Sequence, residues 1–339
     1  MSALQKRIFE HIKKNGPITV DQYLNMALYD PKDGYYFKDG IIGRGGDFIT
    51  SPEITQVFGE LLAIFIIDQW SSVNSNYDLH IIECGPGRGT LTLDILNTLQ
   101  QYQAVYERTH VHLVEISPSL KEIQQEKLAE YKNIQWHTAL DKVPQCDGYT
   151  FILANEFFDA LPIKQYCDTD DTTQERMVHI NDKGQLSFSP PDSDNIHEAC
   201  PTYKIIMDNI NLRLHNAPGS FLIIDYGDEA QNRRISTLQA VHDHKIAHVF
   251  DKPGAVDISH QVNFNTLRDL VDSSILCYPL LTQGEFLKQL GIDLRLQQLL
   301  PGASAEQRMQ LLSACARLTS PQHMGEIFKV FYATSRCSQ

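Results

Sequence analysis

The stretch "IIECGPGRGTL", residues 81–91, constrains this chain more than any other. Two isoleucines and an acid run into glycines at alternate positions, Gly85, Gly87 and Gly89, and Thr90 opens a helical pattern. A strand that turns through glycines into a helix brings ligand and backbone close at the carboxyl edge of a parallel sheet, where α/β proteins hold nucleosides. A second strand, "VHLVEI", leads into Glu115, 26 residues after Gly89. An acid in that place accepts hydrogen bonds from both ribose hydroxyls. Glycines serving only a tight turn need no such acid.

Spacing then selects the ligand. Dinucleotide enzymes use G-x-G-x-x-G, with a pyrophosphate at the helix N-terminus. Here the order is Glu83-Cys84-Gly85-Pro86-Gly87-Arg88-Gly89, and no G-K-[ST] follows as in a phosphate-binding loop. Glu83 beside the loop repels phosphate but suits a ligand carrying an ammonium and a sulfonium. S-adenosyl-L-methionine is the ligand these residues favour over NAD.

The rest of the pattern supplies the frame. Residues 3–15 read as an amphipathic helix stopped by Asn15-Gly16-Pro17, and residues 53–70 as a second helix. Between them lies an irregular, aromatic-rich cover. "LHIIEC", "VHLVEI", "NIQWHT", "GYTFILANEFF" and "GSFLIIDYG" are strands alternating with helices, among them the one after Ser117-Pro118. That alternation predicts an α/β chain with a mostly parallel sheet and helices on both faces. We expect a cofactor-covering segment over residues 1–76 and a core over 77–259 with an antiparallel excursion near 164–200. A mainly helical insertion over 260–320 and a closing strand within 321–339 complete the expected layout.

Composition excludes several classes. A formal charge of −13 argues against a nonspecific nucleic-acid binder. "LLAIFII", the longest apolar run, is far short of the roughly 20 residues of a membrane span, so no membrane insertion is expected. The N-terminus does not read as a signal or transit peptide, and seven scattered cysteines without a C-x-x-C pair imply reduced thiols. A cytoplasmic setting is therefore expected. His242, His244 and His248 lack a cysteine partner, and no metal is expected there or elsewhere.

From about residue 5 to about 333 the chain resembles the MidA-type methyltransferases, a family that includes the mitochondrial complex I assembly-factor arginine methyltransferase. The resemblance rests on "GPITVDQYLNMALYDPKDGYY", "GGDFITSPEITQVFGELLA", "ECGPGRGTLTLDIL", "HLVEISPSLKEIQ", "NEFFDALPI", "DYG" and "MGEIFKV". It implies a class I, Rossmann-like sheet of seven strands. It also implies protein-arginine methylation with S-adenosyl-L-methionine, on a respiratory NADH dehydrogenase subunit or its bacterial homologue. On the cofactor side the expected residues are Glu83, Gly85, Gly87, Gly89, Glu115 and Ile116. The family places the "GDFITSPEI" block over the cofactor, with Thr50, Ser51, Pro52 and Glu53 at its methionine end and Asp47 nearby. Ser51-Pro52-Glu53 also fits a helix start.

On the acceptor side the fourth strand ends in Asn155, Glu156 and Asp159, the expected catalytic set. Deprotonating an arginine of pKa about 12.5 or more would cost roughly 7 kcal/mol at pH 7. Gripping and polarising the charged guanidinium with a carboxylate is cheaper. Competing readings make Glu156 the partner of a structural Arg or Lys, Asp159 a helix cap, and Phe157 and Phe158 core residues. Tyr35 and Tyr36 either line the acceptor entrance or pack. The resemblance also implies an acceptor-facing loop running through "KPGAVDISHQVNF". The chain departs from the family at "STLQAVHDHK", where relatives carry Arg and Tyr, and at Asn263, where they carry Asp. These departures bear on the acceptor, leaving a small-molecule methyltransferase and a catalytically silent assembly chaperone as alternatives.

Overall fold

The computed structural model describes residues 1–38, 50–73, 77–168, 172–192, 195–229 and 235–336. Asp47 lies outside the described residues. Seven strands form the path of the central sheet: β1 (Asp78–Cys84), β2 (Thr109–Val114), β3 (Ile134–His137), β4 (Gly148–Asn155), β5 (Gly219–Asp228), β6 (Ile275–Cys277) and β7 (Phe328–Ser335). Their spatial order is 6-7-5-4-1-2-3. β1 to β5 pair in parallel, whereas β7 runs antiparallel to both β5 and β6. β4 is buried along its whole length, as expected of a strand covered on both faces. The strand order reverses between β4 and β1, so the crevice for a ligand opens at their carboxyl ends.

Alternation along β1 divides the core. Leu79 and Ile81 face the layer of helices Gln56–Val73 and Thr90–Leu99, while Ile82 and Cys84 face helix Pro201–Asn216. A third core joins the N-terminal helices Ala3–Asn15 and Val20–Tyr29 to two small antiparallel sheets, one built on Met177–Ile180 and Leu186–Ser189 and one within residues 239–259. One of these sheets recruits Ile18–Thr19, which pairs with Met177–Ile180. Tyr23 closes this junction by donating to the Val249 carbonyl at 2.6 Å.

Three expectations change in detail. The helix expected over 53–70 is two helices, Ser51–Ile54 and Gln56–Val73, because Thr55 adopts an extended backbone at φ −161°. The stretch 260–318 is not purely helical: Val262–Asn263 pairs with β5, Leu281–Thr282 with β7, and β6 is a sheet strand. Strands of two or three residues are too short to express a period of two. The segment after Glu156 is a turn rather than a helix, so Asp159 caps no helix. Among the described residues no helix is long and apolar enough to cross a membrane.

Candidate active site

The glycine loop is built on backbone that side chains resist. Gly85, Gly87 and Gly89 have φ of +66°, +52° and +73°. Only glycine enters this left-handed region freely. A methyl group at Gly85 would lie 2.7 Å from the Phe157 ring, so the loop and the end of β4 touch directly. Gly89 serves as the N-cap of helix Thr90–Leu99. The Gly87 carbonyl accepts from Gln124 at 2.7 Å, and the same amide group donates to Glu115 at 3.1 Å. Glu115 is further fixed by the Ser117 amide at 2.8 Å.

A cavity of about 590 Å³ lies over the crevice between β1 and β4. Its size suits a small-molecule site. Of the thirteen residues expected to form the site, eleven line it: Thr50, Pro52, Glu53, Glu83, Gly85, Gly87, Glu115, Ile116, Asn155, Glu156 and Asp159. Gly89 and Ser51 do not. Ser51 instead donates its backbone amide to Glu156 Oε1 at 2.7 Å, tying the cover to the end of β4. Glu53 accepts from Thr90, so the short helix Ser51–Ile54 is also moored to the glycine loop's helix. Phe157 lines the cavity, whereas Phe158 is fully buried core.

The acceptor side is a cluster of acids. Glu156 has φ +51°, an uncommon conformation for a residue with a side chain. The turn that holds it is pinned by Asp225, which accepts from the amides of Phe157 at 3.1 Å and Phe158 at 2.7 Å. Burial pushes both the Glu156 and the Asp225 carboxyls up to about 7. Asp159 is pushed well above the carboxylate range by burial and by the charges of Asp225, Glu156 and Asp257. On the cofactor side burial raises Glu83 to about 7, against a hydrogen bond from Thr92. Among the described residues no lysine or arginine forms an ion pair with Glu156, Asp159 or Asp225. The charge of Arg317 nevertheless acts on Glu156 against the effect of burial.

Among the described residues Asn155 Oδ1, in the wall of this cavity, is buried without a hydrogen-bond partner. A buried acceptor left unpaired costs about 1–3 kcal/mol unless a ligand donates to it. Together with the glycine cradle and the fixed carboxylate of Glu115, it fits a nucleoside ligand that carries donors.

Further residues shape the site, of which Tyr29 and Asp225 carried no assigned role in the sequence. Tyr29 stacks on Tyr36 with centroids 5.4 Å apart and donates to the Ala160 carbonyl at 2.9 Å. Tyr36 donates to Asp257 at 3.2 Å. Tyr35 and Tyr36 both line the cavity, as do Asp257 and Ser259 from the loop the resemblance marked as acceptor-facing. His242, His244 and His248 do not, and Asp243 and His244 form the tip of a hairpin. Asp225 belongs to "DYG", and its adjacency to β4 was available only from the sheet order. Asn263 accepts from the Asn265 and Thr266 amides and caps helix Phe264–Asp269. Asparagine caps as well as aspartate, so this departure from the family leaves the local fold intact.

A parallel sheet ordered 6-7-5-4-1-2-3, with an antiparallel seventh strand and a glycine loop after β1, defines a class I methyltransferase fold. A crystallised COG1565 superfamily member from Burkholderia thailandensis, bound to S-adenosyl-homocysteine, shares it with a TM-score of 0.85 at 24% identity, over 98% of this chain and 92% of that one. The family described as putative S-adenosyl-L-methionine-dependent methyltransferase matches residues 61–277. The chain belongs to that family, and its cofactor is S-adenosyl-L-methionine. It is similar along its whole length to curated relatives. Protein arginine methyltransferase NDUFAF7, mitochondrial, of Danio rerio is 35% identical over 100% of this chain and 90% of that protein. The Homo sapiens protein of the same name is 34% identical over 98% and 83%. These relatives are named as mitochondrial proteins, which overturns the cytoplasmic expectation. Reduced cysteines separate oxidising from reducing compartments but do not distinguish between two reducing ones.

Proposed function

We propose that the chain methylates a guanidinium nitrogen of a protein arginine, on a subunit of respiratory NADH dehydrogenase. The single observation carrying the reading is the acid cluster of Glu156, Asp159 and Asp225 beside the glycine loop. The names of the curated relatives support the arginine. The sequence resemblance described above supports the respiratory partner.

When bound, S-adenosyl-L-methionine supplies an electrophilic sulfonium methyl. Glu115 would take the ribose hydroxyls, while Glu83 and the Thr50–Glu53 segment would face the methionine end. Glu156 grips the guanidinium by charge-assisted hydrogen bonds and orients its lone pair toward the methyl. Asp159, which burial and its acidic neighbours keep protonated, ionises more readily beside a bound guanidinium, and Asn155 Oδ1 can accept from an N–H donor. Tyr29 and Tyr36 wall the acceptor side and exclude water. The proton released as the methyl arrives passes to a carboxylate already poised near neutrality.

Incubating the chain with radiolabelled cofactor and mitochondrial lysate, followed by protein hydrolysis, tests this. Labelled methylarginine in an NADH dehydrogenase subunit is the expected product. Label confined to a small molecule, or no label, removes the arginine assignment.

A further inference from the structure

Among β1, β2 and the loop entering β4, three side chains with metal-ligating atoms converge. His80 lies on β1, His112 on β2, and Cys146 on the loop entering β4. Their candidate ligand atoms all lie within 4.8 Å of one another. None of the three lines the main cavity. His80 precedes Cys84, at the start of the glycine loop, by four residues, roughly 13 Å of strand. We propose that His80, His112 and Cys146 form a zinc-binding site that staples β1, β2 and the loop before β4.

Distances carry the argument. With Zn–N near 2.0–2.1 Å and Zn–S near 2.3 Å, tetrahedral geometry places two nitrogens about 3.3 Å apart, and nitrogen and sulfur about 3.5 Å apart. His80 Nδ1 lies 3.4 Å from His112 Nε2, and Cys146 Sγ lies 3.8 Å from the same nitrogen. The His80–Cys146 separation is at most 4.8 Å, so closing it takes no more than about 1.3 Å, within reach of a small rotation of His80, which is partly exposed. His112 and Cys146 are only 3% and 6% exposed, so the ion would sit where the protein excludes competing water.

The surroundings match the demands of such a site. His112 Nδ1 lies 3.1 Å from His137 Nε2, so His112 can donate there and leave Nε2 for the metal. Arg213 donates to the carbonyls of Leu140, Val143 and Pro144, which fixes the loop carrying Cys146. Asp78 and Asp147 add negative charge around His80. A water completes four ligands. On binding, Cys146 loses its thiol proton to solvent and a Zn–S bond forms, with no change of oxidation state. The ligands are 32 and 34 residues apart, far from any zinc-finger spacing, which is why the sequence alone predicted no metal.

A chain of imidazoles bonded only to one another would show the same nitrogen contacts but take up no metal. Full-length protein, stripped with chelator and titrated with Co²⁺, separates the two. The expected result is one equivalent bound, with a sulfur-to-cobalt charge-transfer band that Zn²⁺ abolishes by displacement. Cys146→Ser should lose the band, and His80→Asn should weaken binding at least tenfold. Both should keep the thermal shift given by S-adenosyl-homocysteine, whose cavity is separate. No band in the wild type, a band surviving Cys146→Ser, or unchanged affinity in His80→Asn overturns the site. Should Cys146→Ser lose that thermal shift, X-ray absorption of zinc-loaded wild type decides: one sulfur with two imidazoles supports the site, and a sulfur-free shell overturns it.

Discussion

The backbone amide of Ser51 donates to the carboxylate of Glu156 at 2.7 Å, across 105 positions of sequence. The bond joins the cover to the one acid at the end of β4 whose backbone has positive φ. Strained backbone persists only where its surroundings hold it, and here Asp225 and Ser51 hold it from two sides. Both sides of the cavity therefore meet at Glu156.

Glu156→Gln tests the role that follows. The amide keeps the shape and an acceptor for Ser51 but loses the charge. Cofactor affinity by calorimetry should stay near the wild-type value, while methyl transfer should fall by about 10²–10⁴. A peptide with lysine in place of the target arginine should also fail, because an ammonium lacks the planar fork. Wild-type turnover would move the acceptor contact to another residue.

The pH profile has a definite sign. Glu156 must be ionised to grip a guanidinium, and burial raises its carboxyl to about 7. Activity at low arginine-peptide concentration should therefore climb as pH rises through about 7 and level off above it. A bound guanidinium favours the ionised form, so the midpoint at saturating peptide should lie lower than at limiting peptide. A profile flat from pH 6 to 8 would contradict the assignment.

Gly85→Ala should cut cofactor affinity at least tenfold. Its φ of +66° disfavours any side chain, and its new carbon would meet the Phe157 ring at 2.7 Å. Truncation of that ring in Gly85→Ala/Phe157→Leu should restore part of the affinity. Equal affinities of Gly85→Ala and wild type in calorimetry would separate this loop from the cofactor.

The parallel sheet and the cofactor side were legible because their signals are local. "IIECGPGRGTL" and Glu115 specify strand, turn and acid within 35 residues, and the structure sets them in one wall. The acceptor wall was less legible. Tyr29 and Asp257 of that wall come from distant segments, and nothing near Asp225, which does not line the cavity, announces that its carboxylate holds the turn after β4. The two-residue strands inside 260–318 had no period to read, and Ile18–Thr19 joins a strand some 160 residues away.

Glu115→Ala should weaken cofactor binding by about 1.5–3 kcal/mol, the range for hydrogen bonds to a charged group. S-adenosyl-homocysteine should raise the melting temperature of the wild type, and NAD should not. The reverse thermal pattern would restore a dinucleotide reading, and an unchanged dissociation constant would move the ribose contact elsewhere.

The stability of Glu156→Gln separates a functional acid from a structural one. In the unfolded chain this carboxyl titrates near its ordinary 4.5, and in the fold near 7. Below pH 4.5 both states hold the proton and nothing is lost. As pH rises from 4.5 to 7 the unfolded chain releases it first, so the folded state loses up to about 3 kcal/mol of stability and recovers none above pH 7. Glutamine does not titrate. Urea unfolding of the ligand-free proteins should therefore show the variant gaining on the wild type between pH 5 and pH 8. A carboxylate kept for an ion pair would behave in the opposite way, because its pKa would be depressed and its loss would hurt most at pH 8. If the variant loses ground at the higher pH, Glu156 is a structural partner, and the acid that meets the guanidinium must be sought at Asp159 or Asp257.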